Sequence, residues 1–413
     1  MDEKRAVELA REGIPDFLHT VLVKGNSPDK KDFFTWKDLA AAPLPEELPC
    51  IDVDLAAILY TSGSTGKPKG VMLTHLNLIQ GARSVGKYLK NTAEDSVISV
   101  LPFSFDYGLS QLTTMFLVGG TVVLQPIMMP SEIVKTIKQN DVTGFAAVPP
   151  TWVGIVRYLL DVPTELPKLR YITNSGGKIP VTILESMKKV FPGVNVYLMY
   201  GLTESFRSTY LPPELYDEKL GSMGRAIPNS EIFIVNSGKG ICGPGEQGEL
   251  VHRGSLISKG YWGKEESTAQ KIRVCPELEH LIGDEKVVYS GDIVRIDEDG
   301  YYWFVSRADT LIKSTGFRIS PQEVEEVVLK FNNVSEAVAF GVDDDMLGQA
   351  VHVAVATING EPLDQSVFLK YCRENMPHYM IPKAVHHHAG QMPRTGSGKI
   401  DVPNVVSRFK GAS

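Results

Sequence analysis

The sequence predicts an α/β protein: a large N-terminal domain of mixed α/β sheets that ends in a β-rich subdomain, followed by a small, mobile α+β C-terminal domain. Three patterns indicate this fold. Apolar runs of strand length alternate with helical patterns between residues 55 and 200, which is typical of a parallel α/β sheet. From Ile232 to Val305, short strands follow one another with frequent Gly and Asp turns. After residue 309, helix and strand patterns return over the rest of the chain.

Length and composition set the domain count and exclude some functions. A chain of 413 residues is too long for one ordinary core. We predict a large domain over residues 1–308, with its β-rich subdomain from about residue 230 to 308, and a small domain over residues 309–413. The net charge of −7 disfavours nucleic-acid binding. With no apolar run long enough to cross a bilayer and no apolar segment at the start typical of a signal peptide, the expected location is cytoplasmic.

The four cysteines lie far apart, and none belongs to a Cys-x-x-Cys pair. This spacing favours buried or free thiols over a zinc site or a disulfide framework.

A glycine- and hydroxyl-rich stretch runs from Thr61 to Gly70 and holds three glycines, four hydroxyls and two lysines. It follows the predicted strand Leu55–Tyr60 and leads through Val71–Leu73 into a predicted helix from Thr74. Glycines let successive backbone N–H groups point into one concavity, and lysines add positive charge. The stretch is not a Walker A motif. It therefore predicts a polyphosphate-binding loop, with a solvated linker as the alternative.

Other predicted strands also end in polar or glycine-rich segments. Ligands usually bind at the strand-end loops of a parallel α/β sheet. These segments are Pro102–Gly108 after strand Ser96–Leu101, Asn174–Gly177 after Tyr171–Thr173, and Tyr200–Glu204 after Val194–Met199.

Two helices are indicated by their apolar spacing. Trp152 begins one apolar face that continues through Leu159, which makes it a helix-face core residue or a pocket wall. Ser320–Glu323 reads as a capping box before a helix that extends to Phe331. Ser290–Asp292 is predicted to be a turn within the β-rich part.

Five motifs occur along the chain in this order: Tyr60–Gly70, Tyr200–Glu204, Ser290–Asp292, Arg307–Glu323 and Gly398–Asp401. Together they resemble the motifs of the adenylate-forming superfamily of acyl-CoA synthetases, peptide-synthetase adenylation domains and luciferases. Within that superfamily the chain most resembles the AMP-forming acyl-CoA ligases associated with exosortase gene clusters, through Pro102–Leu112, Asn174–Gly177 and Tyr200–Pro213.

The resemblance implies a ligase that uses ATP, Mg²⁺ and coenzyme A. It would convert a carboxylic acid to an acyl-adenylate with release of pyrophosphate, and then transfer the acyl group to the thiol of coenzyme A. Glu204 is the implied magnesium ligand, Thr203 would contact the α-phosphate, and Lys399 would bridge the carboxylate and the α-phosphate. The implied nucleotide-binding residues are Thr61, Ser62, Gly63, Ser64, Thr65, Gly66 and Lys67 at the phosphates, Tyr200 with Ser175, Gly176 and Gly177 at the adenine, and Asp292 and Arg307 at the ribose.

The resemblance also implies a rotation of the small domain. Asp309 matches the hinge position, and the loop around Gly316 would line the channel for the thiol.

The implied acyl pocket contains Phe105, Asp106 and Trp152. Asp106 matches the position at which amino-acid adenylating domains bind the substrate's ammonium, but it is equally interpretable as a helix cap. A rival hypothesis is therefore amino-acid adenylation with loading of a carrier protein. A second rival is a catalytically silent relative that only binds nucleotide. Arg207 is interpretable either as a pocket cation or as a surface residue.

The chain carries less sequence before the phosphate loop than is usual in this superfamily. We therefore expect exposed apolar surface that self-association or a partner protein covers.

Overall fold

The structure is a computed structural model, and its chain divides into two compact units, residues 1–51 and residues 52–413. In the first unit, strands β1 (Val21–Val23) and β2 (Phe33–Thr35) pair in parallel. The structure describes residues 21–23, 33–35, 37–38, 50–61, 68–177, 179–308, 310–314, 317–344, 346–395 and 399–410.

The second unit begins with an antiparallel hairpin of β3 (Leu55–Thr61) and β4 (Lys69–Thr74), in which Thr61 pairs with Lys69. Helix α1 (His75–Leu89) follows directly. The predicted strand and helix are both present, but Val71–Leu73 forms a strand of its own that the sequence reading missed. The side chains of Val71 and Leu73, two residues apart, are both completely buried, and this two-residue spacing is the period of a strand.

The second unit contains a seven-stranded sheet in the order β11-β10-β9-β8-β7-β5-β6. Neighbours among β5 to β9 are parallel, whereas β10 and β11 are antiparallel additions. Its strands are β5 (Ser96–Ser99), β6 (Thr121–Leu124), β7 (Gly144–Ala147), β8 (Tyr171–Asn174), β9 (Asn195–Tyr200), β10 (Thr209–Tyr210) and β11 (Arg225–Ala226). The connecting helices are α2 (Asp106–Val118), α3 (Pro130–Gln139), α4 (Pro149–Asp161) and α5 (Val181–Val190). The predicted parallel α/β sheet is confirmed.

The β-rich part is a six-stranded antiparallel sheet. Its elements are β12 (Ser230–Asn236), β13 (Gly240–Ile241), β14 (Gln247–Gly254), α6 (Glu265–Lys271), β15 (Ile272–Val274), α7 (Glu279–Ile282), β16 (Lys286–Ile296) and β17 (Tyr302–Arg307). The prediction of a turn at Ser290–Asp292 is wrong, because these residues lie inside β16. Gly291 has a φ of +78°, a left-handed value that glycine tolerates, so the strand passes through this point without ending.

The C-terminal part has a five-stranded sheet with its own hydrophobic core, which includes Val353 and Phe368. Its elements are β18 (Ile312–Ser314), β19 (Phe317–Ile319), α8 (Pro321–Val328), β20 (Val334–Asp344), β21 (Gly348–Thr357), α9 (Gln365–Asn375), β22 (Ala384–His387) and α10 (Val402–Lys410). The predicted capping box is wrong: the Ser320 hydroxyl donates to the Val305 carbonyl, 2.7 Å away, and makes no cap hydrogen bond.

Short 3₁₀ turns complete the structure at Thr203–Ser205, Pro213–Leu215, Pro276–Leu278 and His378–Met380. Within the described ranges, no helix combines the length and the apolar character that crossing a membrane requires.

Candidate active site

A cavity of about 670 Å³ lies where the ends of β8 and β9 and the start of α2 meet the β-rich sheet and the segment around Lys399. It is lined by twelve of the predicted site residues, which come from separate parts of the chain. These are Thr61, Phe105, Asp106, Ser175, Gly176, Gly177, Tyr200, Thr203, Glu204, Asp292, Arg307 and Lys399.

Other predicted site residues cannot be placed in the cavity. Ser62, Gly63, Ser64, Thr65, Gly66, Lys67, Asp309 and Gly316 lie outside the described residues.

Tyr200, Asp292 and Arg307 are joined on one wall of the cavity. The Tyr200 hydroxyl donates to Asp292 Oδ2, and Arg307 Nε lies 3.2 Å from Asp292 Oδ1. The register of β16 and β17 places Asp292 directly opposite Arg307. Burial, reinforced by the neighbouring Asp292 carboxylate, raises the pKa of Tyr200 well above its usual range. Tyr200 is therefore a protonated donor that fixes the orientation of the carboxylate.

The glycine turn after β8 lies against Lys399. Gly176 has a φ of +81°, and a Cβ placed on it would lie 3.1 Å from Lys399 Cε. A side chain at this position would combine backbone strain with crowding of the lysine stem. The absence of a side chain at Gly176 thus lets Lys399 reach the cavity.

Glu204 is held by a tyrosine from the segment that follows β14. The Tyr261 hydroxyl donates to Glu204 Oε1, and the backbone N–H of Ser258 donates to the Glu204 carbonyl at 2.8 Å. Burial raises the pKa of Tyr261, as does the charge of Glu204, so the phenol remains a donor. The Glu204 carboxylate and the Thr203 hydroxyl are hard oxygen donors, the type that Mg²⁺ prefers.

Asp106 and Lys399 bring opposite charges to the same cavity. Asp106 Oδ1 accepts the Tyr107 N–H at 2.8 Å, and Oδ2 accepts the Thr203 hydroxyl at 3.3 Å. Burial raises the pKa of Asp106, while the charges of Arg207 and Lys399 oppose that shift. Burial lowers the pKa of Lys399, and Asp106 opposes it. The helix cap itself is Phe105, so Asp106 is the first helical residue and also lines the cavity.

Trp152, predicted as a candidate pocket wall, lies in the core and not in the cavity wall. Its side chain is completely buried, its ring centroid is 4.6 Å from that of Phe145, and its Nε1 donates to the Ala147 and Thr173 carbonyls at 3.0 and 3.2 Å. The apolar face of α4 turns this side chain inward against the sheet. Trp152 is therefore a core residue on a helix face, which was the other interpretation of its position in the sequence.

Comparison with protein families gives two matches. The model of the AMP-binding enzyme family matches residues 3–262, and that of the AMP-binding enzyme C-terminal domain matches residues 323–399. This chain belongs to the AMP-binding enzyme family. The superfamily predicted from the five motifs is confirmed.

Among known proteins, this AMP-binding enzyme is 34% identical to a 2-succinylbenzoate–CoA ligase of Bacillus licheniformis over 87% of its own length and 72% of the ligase. The o-succinylbenzoate CoA synthetase of Bacillus subtilis has been solved with its acyl-adenylate intermediate. It superposes with a TM-score of 0.80 at 28% identity, over 98% of this chain and 80% of that one. The same synthetase solved with ATP and a magnesium ion gives a TM-score of 0.79 at 27% identity, over 98% and 81%. The predicted fold class and the predicted AMP-forming ligase class are confirmed.

Several side chains of this AMP-binding enzyme that the sequence analysis missed or left undecided also reach the cavity, among them Tyr261, Lys271 and Arg207. Tyr261 and Lys271 belong to no motif, and Arg207 had two open interpretations. Lys271 Nζ donates to the Ser290 carbonyl at 2.6 Å, and burial lowers the pKa of this amine. Arg207 is a pocket cation, since its side chain is buried and lines the cavity. Only the folded chain shows that Tyr261 and Lys271 reach the cavity.

Proposed function

We propose that this AMP-binding enzyme activates a carboxylic acid with MgATP to an acyl-adenylate, releases pyrophosphate and transfers the acyl group to the thiol of coenzyme A. ATP, Mg²⁺ and coenzyme A agree with the ligands and names of the related ligases. The observation that carries the proposal is the convergence of Glu204, the Asp292–Arg307 pair and Lys399 on one cavity. The small-molecule partners are accordingly a carboxylate and coenzyme A.

We assign the nucleotide to the wall formed by β8, β9 and β16. Asp292, oriented by Tyr200 and Arg307, is a carboxylate suited to accept hydrogen bonds from two ribose hydroxyls. Glu204, oriented by Tyr261, would hold Mg²⁺, which neutralises phosphate charge when bound. Such pre-oriented groups stabilise charge without reorganising during the reaction.

We assign the reacting carboxylate to the space between Lys399 and Thr203. The attack of one anion on another is opposed by charge repulsion, which alignment and a nearby cation reduce. Lys399 supplies that cation, and Asp106 favours its charged form in a buried setting. The hydroxyl of Thr203, which lines the cavity, would lie where the ATP and the carboxylic acid meet.

The test is carboxylate-dependent ATP–pyrophosphate exchange. We expect exchange that requires both Mg²⁺ and one class of carboxylic acid, because each of the assigned sites must be filled. Exchange with no acid of a broad panel, together with retained ATP binding, would instead identify the silent nucleotide-binding relative.

We further propose that the small domain, residues 309–413, rotates about Asp309 between the two half-reactions, bringing the loop around Gly316 to a thiol channel. Support comes from the hydrophobic core of the C-terminal sheet, which is separate from that of the seven-stranded sheet. Lys399 meanwhile lines the cavity from the end of that domain, as the first half-reaction requires. We propose coenzyme A as the acceptor, with a carrier protein as the alternative.

We propose self-association as the cover for an exposed apolar region beside β6. This strand lies at the edge of the seven-stranded sheet, and edge strands pair readily with other chains. Phe116, Leu124 and Met129 expose 73%, 66% and 61% of their surface there. We expect light scattering after size exclusion to show a dimer that Leu124→Lys dissociates and the control Ile358→Lys does not. A monodisperse monomer of the unmodified protein would rule this out.

The cytoplasm is the location we propose. All four cysteines are free thiols, which is typical of a reducing compartment.

A further inference from the structure

Arg207 is a buried guanidinium with hydrogen-bond donors that no described residue satisfies. Its exposed fraction is 2%. Nη1 donates to the Phe206 carbonyl at 3.0 Å, and the guanidinium stacks on the Tyr107 ring at 4.7 Å from its centroid. Nε and Nη2, which carry three of the five N–H donors, find no acceptor in the described part of the chain. Leaving most of the donors of a buried charge without acceptors is unfavourable, so this site favours a bound ligand with acceptor atoms.

The backbone before Arg207 is strained. Phe206 has a φ of +56°, a left-handed value that is rare for a bulky residue, and its own side chain is completely buried. Such strain persists where the surroundings impose it, and it is concentrated at functional sites. Here it directs the next side chain, Arg207, into the cavity.

Asp106, whose charge Arg207 acts on, does not serve as the missing acceptor. Asp106 uses one oxygen for the Tyr107 N–H and the other for the Thr203 hydroxyl. None of the ion pairs found within 4.0 Å in the described ranges joins Asp106 to Arg207. Arg207 and Lys399 both act on the charge of Asp106, and the other charges that act on Lys399 are those of Asp292 and Arg307, so cations outnumber carboxylates here by three to two. An anion is favoured there, and an additional ammonium is disfavoured.

Arg207 also separates the main cavity from a small chamber of about 20 Å³ beneath α2, large enough for about one water molecule. Gln111 Oε1 and Thr114 Oγ1 line this chamber and are likewise without partners among the described residues. Apolar surface predominates in this chamber, so these polar atoms lie in an otherwise apolar setting.

We propose that Arg207 binds a second carboxylate of the acyl substrate, so that the substrates of this enzyme are dicarboxylic acids. The proposal rests on the acyl-activating function proposed above. In this arrangement Lys399 pairs with the carboxylate that reacts. The planar guanidinium of Arg207 binds the second, distal carboxylate through two parallel N–H···O hydrogen bonds. The same charges exclude an α-amino acid, whose ammonium would meet both cations.

The test is ATP–pyrophosphate exchange by the full chain with linear dicarboxylates from malonate to suberate, each paired with the monocarboxylate of equal length. We expect one dicarboxylate to exceed its monocarboxylate in kcat/KM. Arg207→Gln should reduce that kcat/KM by about tenfold to a hundredfold, mainly through KM, because a charge-assisted hydrogen bond is lost. The circular dichroism spectrum and melting temperature of Arg207→Gln should match those of the unmodified protein, which shows that the variant is folded. Arg207→Lys should reduce kcat/KM by an intermediate factor, since lysine retains the positive charge but lacks the planar guanidinium that makes two parallel hydrogen bonds.

Arg295→Gln is the matched control, because this arginine also stacks on an aromatic ring, Trp303, but does not line the cavity. Equal use of both acids, unchanged by Arg207→Gln, would mean that a water molecule satisfies Arg207, and it would overturn this proposal while leaving acyl activation intact. A preference for amino acids would overturn it too. Exchange with no acid at all would contradict the underlying function.

Discussion

Replacing Lys399 with alanine is expected to reduce carboxylate-dependent pyrophosphate exchange by about a hundredfold to a thousandfold, the effect of removing one pre-oriented group that stabilises transition-state charge. Lys399 is the cation that lies against the Gly176 turn and faces Asp106. The second half-reaction, measured as thioester formation from preformed acyl-adenylate, should survive, because we propose that Lys399 leaves the cavity before it.

Folding should not confound this result. Burial lowers the pKa of Lys399, which means that its charged form is held at a cost to stability, so the melting temperature of Lys399→Ala should be maintained. Lys383→Ala is the control, since that lysine is exposed and pairs with Asp344. An equal loss of both half-reactions would contradict the proposed rotation of the small domain.

Glu204→Gln is expected to lower the rate of exchange by a similar factor, about a hundredfold or more, and to raise the Mg²⁺ concentration needed for half-maximal rate. The amide keeps the shape of the side chain and an oxygen for Tyr261, but it removes the negative charge that would hold the metal. The measurement is a magnesium titration of exchange at fixed ATP.

The matched control is Glu285→Gln, an exposed glutamate that pairs with Arg253 away from the cavity. A magnesium dependence that is the same for Glu204→Gln and the unmodified enzyme would remove Glu204 from the metal site.

Local signals predicted much of this architecture. The end of β8, the end of β9 and the start of α2 were each marked by a strand pattern followed by glycine or polar residues, and all three line the cavity. These signals were sufficient because parallel strands bring their carboxyl ends to one edge of a sheet.

Other features depend on contacts between distant segments. Ser290–Asp292 resembles a turn in sequence, yet β16 continues through Gly291, where its pairing with β14 is irregular and resumes on both sides. Trp152 was a pocket candidate from its position alone, but its indole binds backbone carbonyls in the core. Tyr261 and Lys271 could not be predicted, since their relation to Glu204 and Ser290 exists only in the folded chain.

The central claim is that one cavity joins ATP cleavage to thioester formation. The most direct measurement is mass spectrometry of the products formed by the full chain from ATP, Mg²⁺, coenzyme A and the acid that best supports exchange. We expect AMP and an acyl-CoA thioester in equal amounts, with acyl-adenylate retained when coenzyme A is omitted. Formation of ADP and phosphate, or ATP binding without acyl-adenylate from any acid, would contradict it.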